Sequence, residues 1–409
     1  MKQPRIILLI ALLGAAAIGL PSLPGATITV TEVADGLGLP NLRQALAEAN
    51  DGDTIEFDPL IGGRNLPLAP VFGELVVDKS VTIRWVPTYG NPSYLSVDAG
   101  HACRVFHISP GKTVTISGLG IVNGSAPAPN RFGAGIYNDH ATLTLNGCTI
   151  TGNLADQGTG GGIYNDGHGG TATTTITNCT ISGNSAWPGA GICNDGIMTI
   201  ANTTISGNSD NGWNFGGGIL NFGPLTITNS TISGNSAYVG GAIYNWQNAA
   251  LTIINSTFSG NSCNADSSAH GGGIYNEGGT LNVGSTIFKA GPSGENIYHV
   301  EQAGGGVISL GYNLSSDNGG GYLTGAGDRI NADPKLGPLQ NNGGPTFTHM
   351  PASDSPAIDG GDPAVSMDQR GPGFTRVVNG RADIGAVEVQ AAPSPTPTPT
   401  PTPRPHGRH

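Results

Sequence analysis

One short phrase recurs between residues 176 and 245, and it limits the folds open to this chain more than any other feature. Thr177-Asn178-Cys179-Thr180-Ile181-Ser182-Gly183-Asn184 returns as Ala201-Asn202-Thr203-Thr204-Ile205-Ser206-Gly207-Asn208, and again as Thr228-Asn229-Ser230-Thr231-Ile232-Ser233-Gly234-Asn235. A second phrase lies between the copies: Gly191-Ile192-Cys193-Asn194, Gly218-Ile219-Leu220-Asn221 and Ala242-Ile243-Tyr244-Asn245. The glycine of the first phrase stands at 152, 183, 207, 234 and 260, giving steps of 31, 24, 27 and 26. A period near 27 is too long for one hairpin and too variable for a coiled coil. It fits a coil of three short strands joined by turns. The expected fold is all-β: a parallel β-helix with three strands per coil, preceded by a short capping helix.

Period-2 alternation assigns the faces of each strand. It predicts one inward row of Ile150, Ile181, Ile205, Ile232, Phe258 and Ile287, and a second of Ile136, Ile163, Ile192, Ile219, Ile243 and Ile274. Two asparagine rows accompany them: Asn153, Asn184, Asn208, Asn235 and Asn261, and Asn138, Asn165, Asn194, Asn221, Asn245 and Asn276. A stacked amide can bond its copies above and below, and asparagine tolerates left-handed backbone. Both rows are therefore read as structural.

Five stretches follow from composition and pattern. Residues 1–26 read as a signal peptide, with Lys2 and Arg5 ahead of an apolar run over 6–17 that is short for a membrane span. Residues 27–74 form an N-terminal cap, in which Asn41 is the expected N-cap of a helix with Leu42, Ala45, Leu46 and Ala49 on one face. The β-helix proper spans 75–290, a C-terminal region spans 291–390, and a Pro/Thr-rich spacer fills 391–409. The export signal implies a secreted or cell-surface protein, with no transmembrane segment in the mature chain. A formal net charge of -11 with 17 Lys and Arg argues against a nucleic-acid partner. The five cysteines are too few and too irregular for a disulfide scaffold; Cys148 and Cys179 share a repeat position, where they could stack closely enough to bridge, although small buried thiols in a core row are the favoured reading. A monomer is expected.

The repeats resemble those of right-handed parallel β-helix proteins with the pectin-lyase-like fold. Gly240 to Asn245 and Gly271 to Asn276 carry the Gly-Gly-Ala/Gly-Ile-Tyr-Asn phrase of polymorphic outer-membrane proteins. Pro40-Asn41-Leu42-Arg43-Gln44-Ala45 resembles the CSLREA-type piece found ahead of such helices, without its cysteine. The C-terminal region resembles the choice-of-anchor Q domain through Asn342-Gly343-Gly344-Pro345-Thr346, Ser355-Pro356-Ala357-Ile358-Asp359, Asp368-Gln369-Arg370-Gly371 and Asp383-Ile384-Gly385-Ala386. These resemblances imply a bacterial, exported, surface-attached protein of adhesin type. The Pro/Thr spacer is not followed by a recognisable anchor.

The pectin-lyase-like fold also houses polysaccharide-degrading hydrolases and lyases, so their chemistry must be sought residue by residue. A lyase acting on polyuronate needs Ca²⁺ ligands and a Lys or Arg base. Between Phe132 and Phe288 the chain has neither Lys nor Arg. Glycoside hydrolysis needs two close carboxylates. Asp139, Asp166 and Asp195 each follow the asparagine of the second phrase on successive coils, so they should form a column. That column is a set of turn residues, a Ca²⁺-binding edge, or, with His168, a hydrolase site. Gly167-His168-Gly169 resembles a polygalacturonase motif whose aspartate pair is not matched elsewhere. Trp187, Trp213, Phe215 and Trp246 lie beside the turns, where ring faces suit sugars. The reading of the sequence is a non-catalytic scaffold that binds a glycan or another cell-surface molecule, with a hydrolase or lyase as the competing class.

Overall fold

The structure, a computed structural model, describes residues 25–390 apart from 88–93, 127, 211, 213, 265–269, 302–303, 363–366 and 379. Most of the expected signal, the whole Pro/Thr tail and Trp213 lie outside the described residues. The chain is a parallel β-solenoid whose coils each give one strand to three long sheets, of 11, 10 and 9 strands among the described residues. The longest sheet collects strands such as Thr142–Asn146 and Thr173–Thr177. The second collects the Thr-Ile-Ser strands, such as Thr149–Thr151 and Thr180–Ser182. The third collects the Ile-Tyr-Asn strands, such as Ile136–Asp139 and Ile163–Asp166. Pairing extends past the recognisable repeats: Thr27–Val30 opens the longest sheet and Gly306–Gly311 closes it.

Register explains why the isoleucines recur. Ile136, Ile163, Ile192, Ile219, Ile243 and Ile274 are Cα partners in sequence, and each is fully buried. Burying each such side chain contributes about 1.5–3 kcal/mol. In the other row Ile232 pairs with Phe258 as expected, but the next member is Phe288 rather than Ile287. The two rings stack at 5.0 Å between centroids. Ile287 instead registers with Thr257 and turns outward, where it packs with Leu314, Ala357 and Ile384. The outward position is apolar there because the C-terminal region covers it.

Both asparagine ladders are continuous. Asn153, Asn184, Asn208 and Asn235 each pass an amide hydrogen bond to the Oδ1 of the next, ending at Asn261, at 2.9–3.0 Å. The second ladder runs from Asn138 to Asn276 at 2.7–2.9 Å. From Asn184 on, each Oδ1 of the first ladder also accepts the backbone N–H of the asparagine before it, as between Asn184 and Asn208 at 3.0 Å. Left-handed backbone falls elsewhere than expected. It belongs to the residue following each of six successive strands of the longest sheet, namely Gly118, Gly147, Asn178, Asn202, Asn229 and Asn255, and to the glycine preceding each amide of the first ladder. Next comes a third ladder, unforeseen in the sequence: the N–H of Cys148 reaches Cys179 Sγ at 3.3 Å, that of Cys179 reaches Thr203 Oγ1 at 3.2 Å, and that of Thr203 reaches Ser230 Oγ at 3.2 Å. All five cysteines are buried.

The N-terminal helix, Leu42–Glu48, starts where Asn41 accepts the Gln44 N–H at 2.9 Å, and it buries Leu42, Ala45 and Leu46 against the first coils. Among the described residues no helix is long and apolar enough to cross a membrane. At the other end the chain folds back along the Thr-Ile-Ser sheet. Gln369 donates to Thr204 Oγ1 at 3.0 Å and accepts from Thr231 Oγ1 at 2.6 Å. His349 Nε2 meets Ser233 Oγ at 2.9 Å, and the Ala386 N–H donates to Thr257 Oγ1 at 3.0 Å. Beneath these contacts lies a buried charged knot. Arg370 pairs with Asp368 at 2.5 Å, and Glu388 accepts the N–H groups of Val378 and Asp383 at 2.9 and 2.7 Å. Asp368, Asp383 and Glu388 are thus engaged internally.

Two outcomes follow. Asn208→Ala strands a buried N–H on Asn184 and the Ile181 carbonyl, so it should cost at least about 2 kcal/mol in urea unfolding, since each orphaned buried group costs about 1–3 kcal/mol. Burial pushes the Glu388 carboxyl up to about 7 and raises that of Asp383 as well. Between the ordinary glutamate value of 4.5 and about 7, the folded chain therefore holds a proton that the unfolded chain has released. Stability should fall as pH rises through that window. Thermal melts across it should show the decline, and Glu388→Gln should flatten it even where its overall stability is lower.

Candidate functional site

On the Ile-Tyr-Asn sheet the first and third residues of each strand point inward, and the second points out. This alternation builds an outward column of His107, Tyr137, Tyr164, Cys193, Leu220, Tyr244, Tyr275 and Tyr298. Neighbouring rings lie 5.0 Å apart for His107–Tyr137, 5.8 Å for Tyr137–Tyr164 and 5.0 Å for Tyr244–Tyr275. Where the column is interrupted by Cys193 and Leu220, loop aromatics cover it. Phe215 packs on Tyr244 at 4.7 Å, and Trp246 packs on Tyr244 and Phe222, each at 5.5 Å. Two of the four expected ligand aromatics, Phe215 and Trp246, are thereby partly buried against the column. Trp187 remains exposed.

Polar groups converge at the N-terminal end of the column. Asp139 and Asp166 are register partners on adjacent strands, as the spacing predicts. Asp139 Oδ1 lies 2.5 Å from His140 Nδ1, and its Oδ2 lies 3.4 Å from His107 Nε2. Asp166 accepts from the Tyr137 hydroxyl at 2.7 Å and from the His168 N–H at 3.1 Å. Asp195 belongs to the next coil and meets the group only through the exposed His168, at 3.7 Å. One coil earlier, Glu74 binds His107 Nδ1 at 3.2 Å and pairs with Arg104. Arg104 is buried, donates to the carbonyls of Asn130 and Phe132 at 2.8 and 2.9 Å, and lies 5.1 Å over the Tyr137 ring. Glu74, Arg104, His107 and Tyr137 line a groove of about 370 Å³ beneath the 128–130 loop.

The environment biases these groups. Burial pushes the Asp195 carboxyl up, and the nearby Asp166 adds to the rise against the pull of His168. Burial also pushes on Glu74, but its bond to His107 and the Arg104 charge outweigh it and hold the carboxyl below its usual range. Tyr137 stays protonated far above neutrality through burial and its bond to Asp166. His140 is raised chiefly by its bond to Asp139. Its Nε2 donates to the His168 carbonyl at 2.9 Å, which leaves Nδ1 aimed at a carboxylate. Only a proton or a cation makes that contact favourable. The ligand atoms of Asp139, His140 and Asp166 all lie within 4.8 Å of one another. A site of one nitrogen and two oxygens suits Mn²⁺ or Zn²⁺ better than Ca²⁺, which takes oxygen donors.

Sequence reasoning placed Asp139, Asp166, Asp195 and His168 along one edge but missed Glu74, Arg104, His107, Tyr137 and His140. The absence of Lys and Arg from 132–288 holds, yet a cation reaches the cluster from the preceding, less regular coil. The signal that would have revealed it is Phe106-His107-Ile108, which occupies the register of Ile136-Tyr137-Asn138.

No family model matches the chain, and no curated protein does. Three solved chains match it. Among them is the crystal structure of pectate lyase Pel9A, 13% identical, covering 89% of this chain and 96% of that one with a TM-score of 0.40. At that level the likeness carries no weight for the chemistry, which rests on the residues above.

Proposed function

We propose that this chain is an exported, surface-displayed β-helix that binds a glycan along its Ile-Tyr-Asn face. The observation that carries the reading is one surface joining an aromatic column to a groove lined by the buried Arg104, His107 and Glu74, with the Asp139, His140 and Asp166 cluster beside it. Ring faces complement the C–H face of a pyranose, while Arg104, His107 and Asp139 supply directional partners for hydroxyl or carboxylate groups. Export is proposed from the basic and apolar pattern of residues 1–26. Kinship with the CSLREA-type and choice-of-anchor Q pieces is proposed from the motifs quoted above, several of which pack on the solenoid through Gln369, Ala386 and Thr346.

A second reading, hydrolysis of the bound glycan, is favoured by one observation. Asp139 and Asp166 approach within 4.8 Å, near the short carboxylate separation of retaining glycosidases, and Asp195 is biased toward its protonated form. Glycan arrays with the purified chain separate the readings. Binding without turnover, weakened at least about tenfold by His107→Ala and Tyr164→Ala, supports the scaffold. Turnover lost in Asp166→Asn moves the chain to the hydrolases, and neither binding nor turnover rejects both. A divalent cation at Asp139, His140 and Asp166 is also proposed. Mn²⁺ or Zn²⁺ should raise the melting temperature of the native chain and not that of His140→Ala, and equal shifts in both would remove the site.

A further inference from the structure

The outward side of the longest sheet has no part in the site above. Each of the nine successive strands from Thr27–Val30 to Ala250–Ile254 places a threonine in one register column, which includes Thr144, Thr175, Thr199, Thr226 and Thr252. The pairing keeps register without a bulge until Val283 and Gly284. On several strands a second threonine stands two residues away, as Thr142 beside Thr144 and Thr173 beside Thr175. The inward alternates, such as Leu143 and Leu145, are fully buried, so the threonines face solvent. Among the described residues the hydroxyls of Thr144, Thr175, Thr199 and Thr226 have no protein partner.

Solvent exposure of a β-branched residue satisfies strand propensity at any single position. It does not require threonine at nine consecutive levels. The column repeats at about 4.8 Å between coils, a second threonine stands about 6.6 Å along only some of the strands, and stiff χ1 preferences hold methyl and hydroxyl in fixed places. Ile197 and Ala250 take that second position on other strands. A partner that uses such constancy must itself repeat at the coil spacing. The strands from Thr113–Ser117 to Thr280–Gly284 carry no charged and no aromatic side chain on this side, in a chain of net charge -11. A polyanion would find no cation there and a sugar no ring to stack on. We propose that this threonine face binds ice. The neutral lattice of water matches the neutrality of the face, offers donors and acceptors to every hydroxyl, and has an oxygen repeat of the same order as the coil spacing.

Ice-recrystallisation inhibition and thermal hysteresis of the purified chain test this. The wild type should arrest recrystallisation and shape growing ice crystals. The double variant Thr175→Lys/Thr199→Lys should lose at least about tenfold of that effect with an unchanged melting temperature. Thr151→Lys, on the Thr-Ile-Ser sheet, should behave as wild type. Ice growth in wild-type solution indistinguishable from that with a non-binding control protein would overturn the proposal. So would equal inhibition by the Thr175/Thr199 variant, or equal loss in the Thr151 control.

Discussion

A side-chain amide bonded to its own copy one coil away is the interaction on which the rest of this structure depends. A solenoid must turn three corners per coil, and every corner removes backbone groups from the sheet ladders. Those groups are buried and cannot reach water. Asn184 shows the solution: its Nδ2 reaches the next amide and the Ile150 carbonyl, while its Oδ1 receives the N–H of Asn153. One side chain thus satisfies several corner groups, provided an identical residue stands above and below. This reciprocity forces the sequence to repeat, and the left-handed glycine before each amide gives the turn its direction.

This is also why so much of the fold was legible in the sequence. Rows of Ile and Asn at one period leave few alternatives, and the inward and outward assignment of each strand follows from alternation. The errors have equally specific causes. The Ile287–Phe288 slip arose because both neighbours are apolar, and the polar neighbour that marks the outward side elsewhere is replaced where Leu314, Ala357 and Ile384 cover it. The left-handed positions differ from the ladder positions because asparagine serves both purposes in this chain at different places. Asn178 turns the backbone while Asn184 bonds the coils, and composition alone does not separate them. The cysteine, threonine and serine ladder was hidden because three different residue types supply one equivalent acceptor.

The candidate site was half legible. Asp139, Asp166 and Asp195 belong to regular coils, and their alignment could be counted. Glu74, Arg104 and His107 come from coils whose phrases have drifted beyond recognition, so only pairing reveals that they share the same face. The repeat works as a frame that holds three outward surfaces apart. One carries rings, histidines and carboxylates; one is clasped by the C-terminal region; one is a neutral field of hydroxyls. Chemistry concentrates where the repeat is least regular, because only residues freed from stacking can vary.

Residue-resolved hydrogen exchange of the intact chain tests the central claim most directly, that the amide ladders hold the coils together. The N–H groups of Asn153, Asn184, Asn208 and Asn235 should rank among the slowest in the molecule, exchanging only with unfolding of neighbouring coils, although none of them lies within a strand. If these amides exchanged as fast as those of exposed turns such as Gly169 and Gly170, while the strands on either side stayed protected, the ladders would not be what joins the coils.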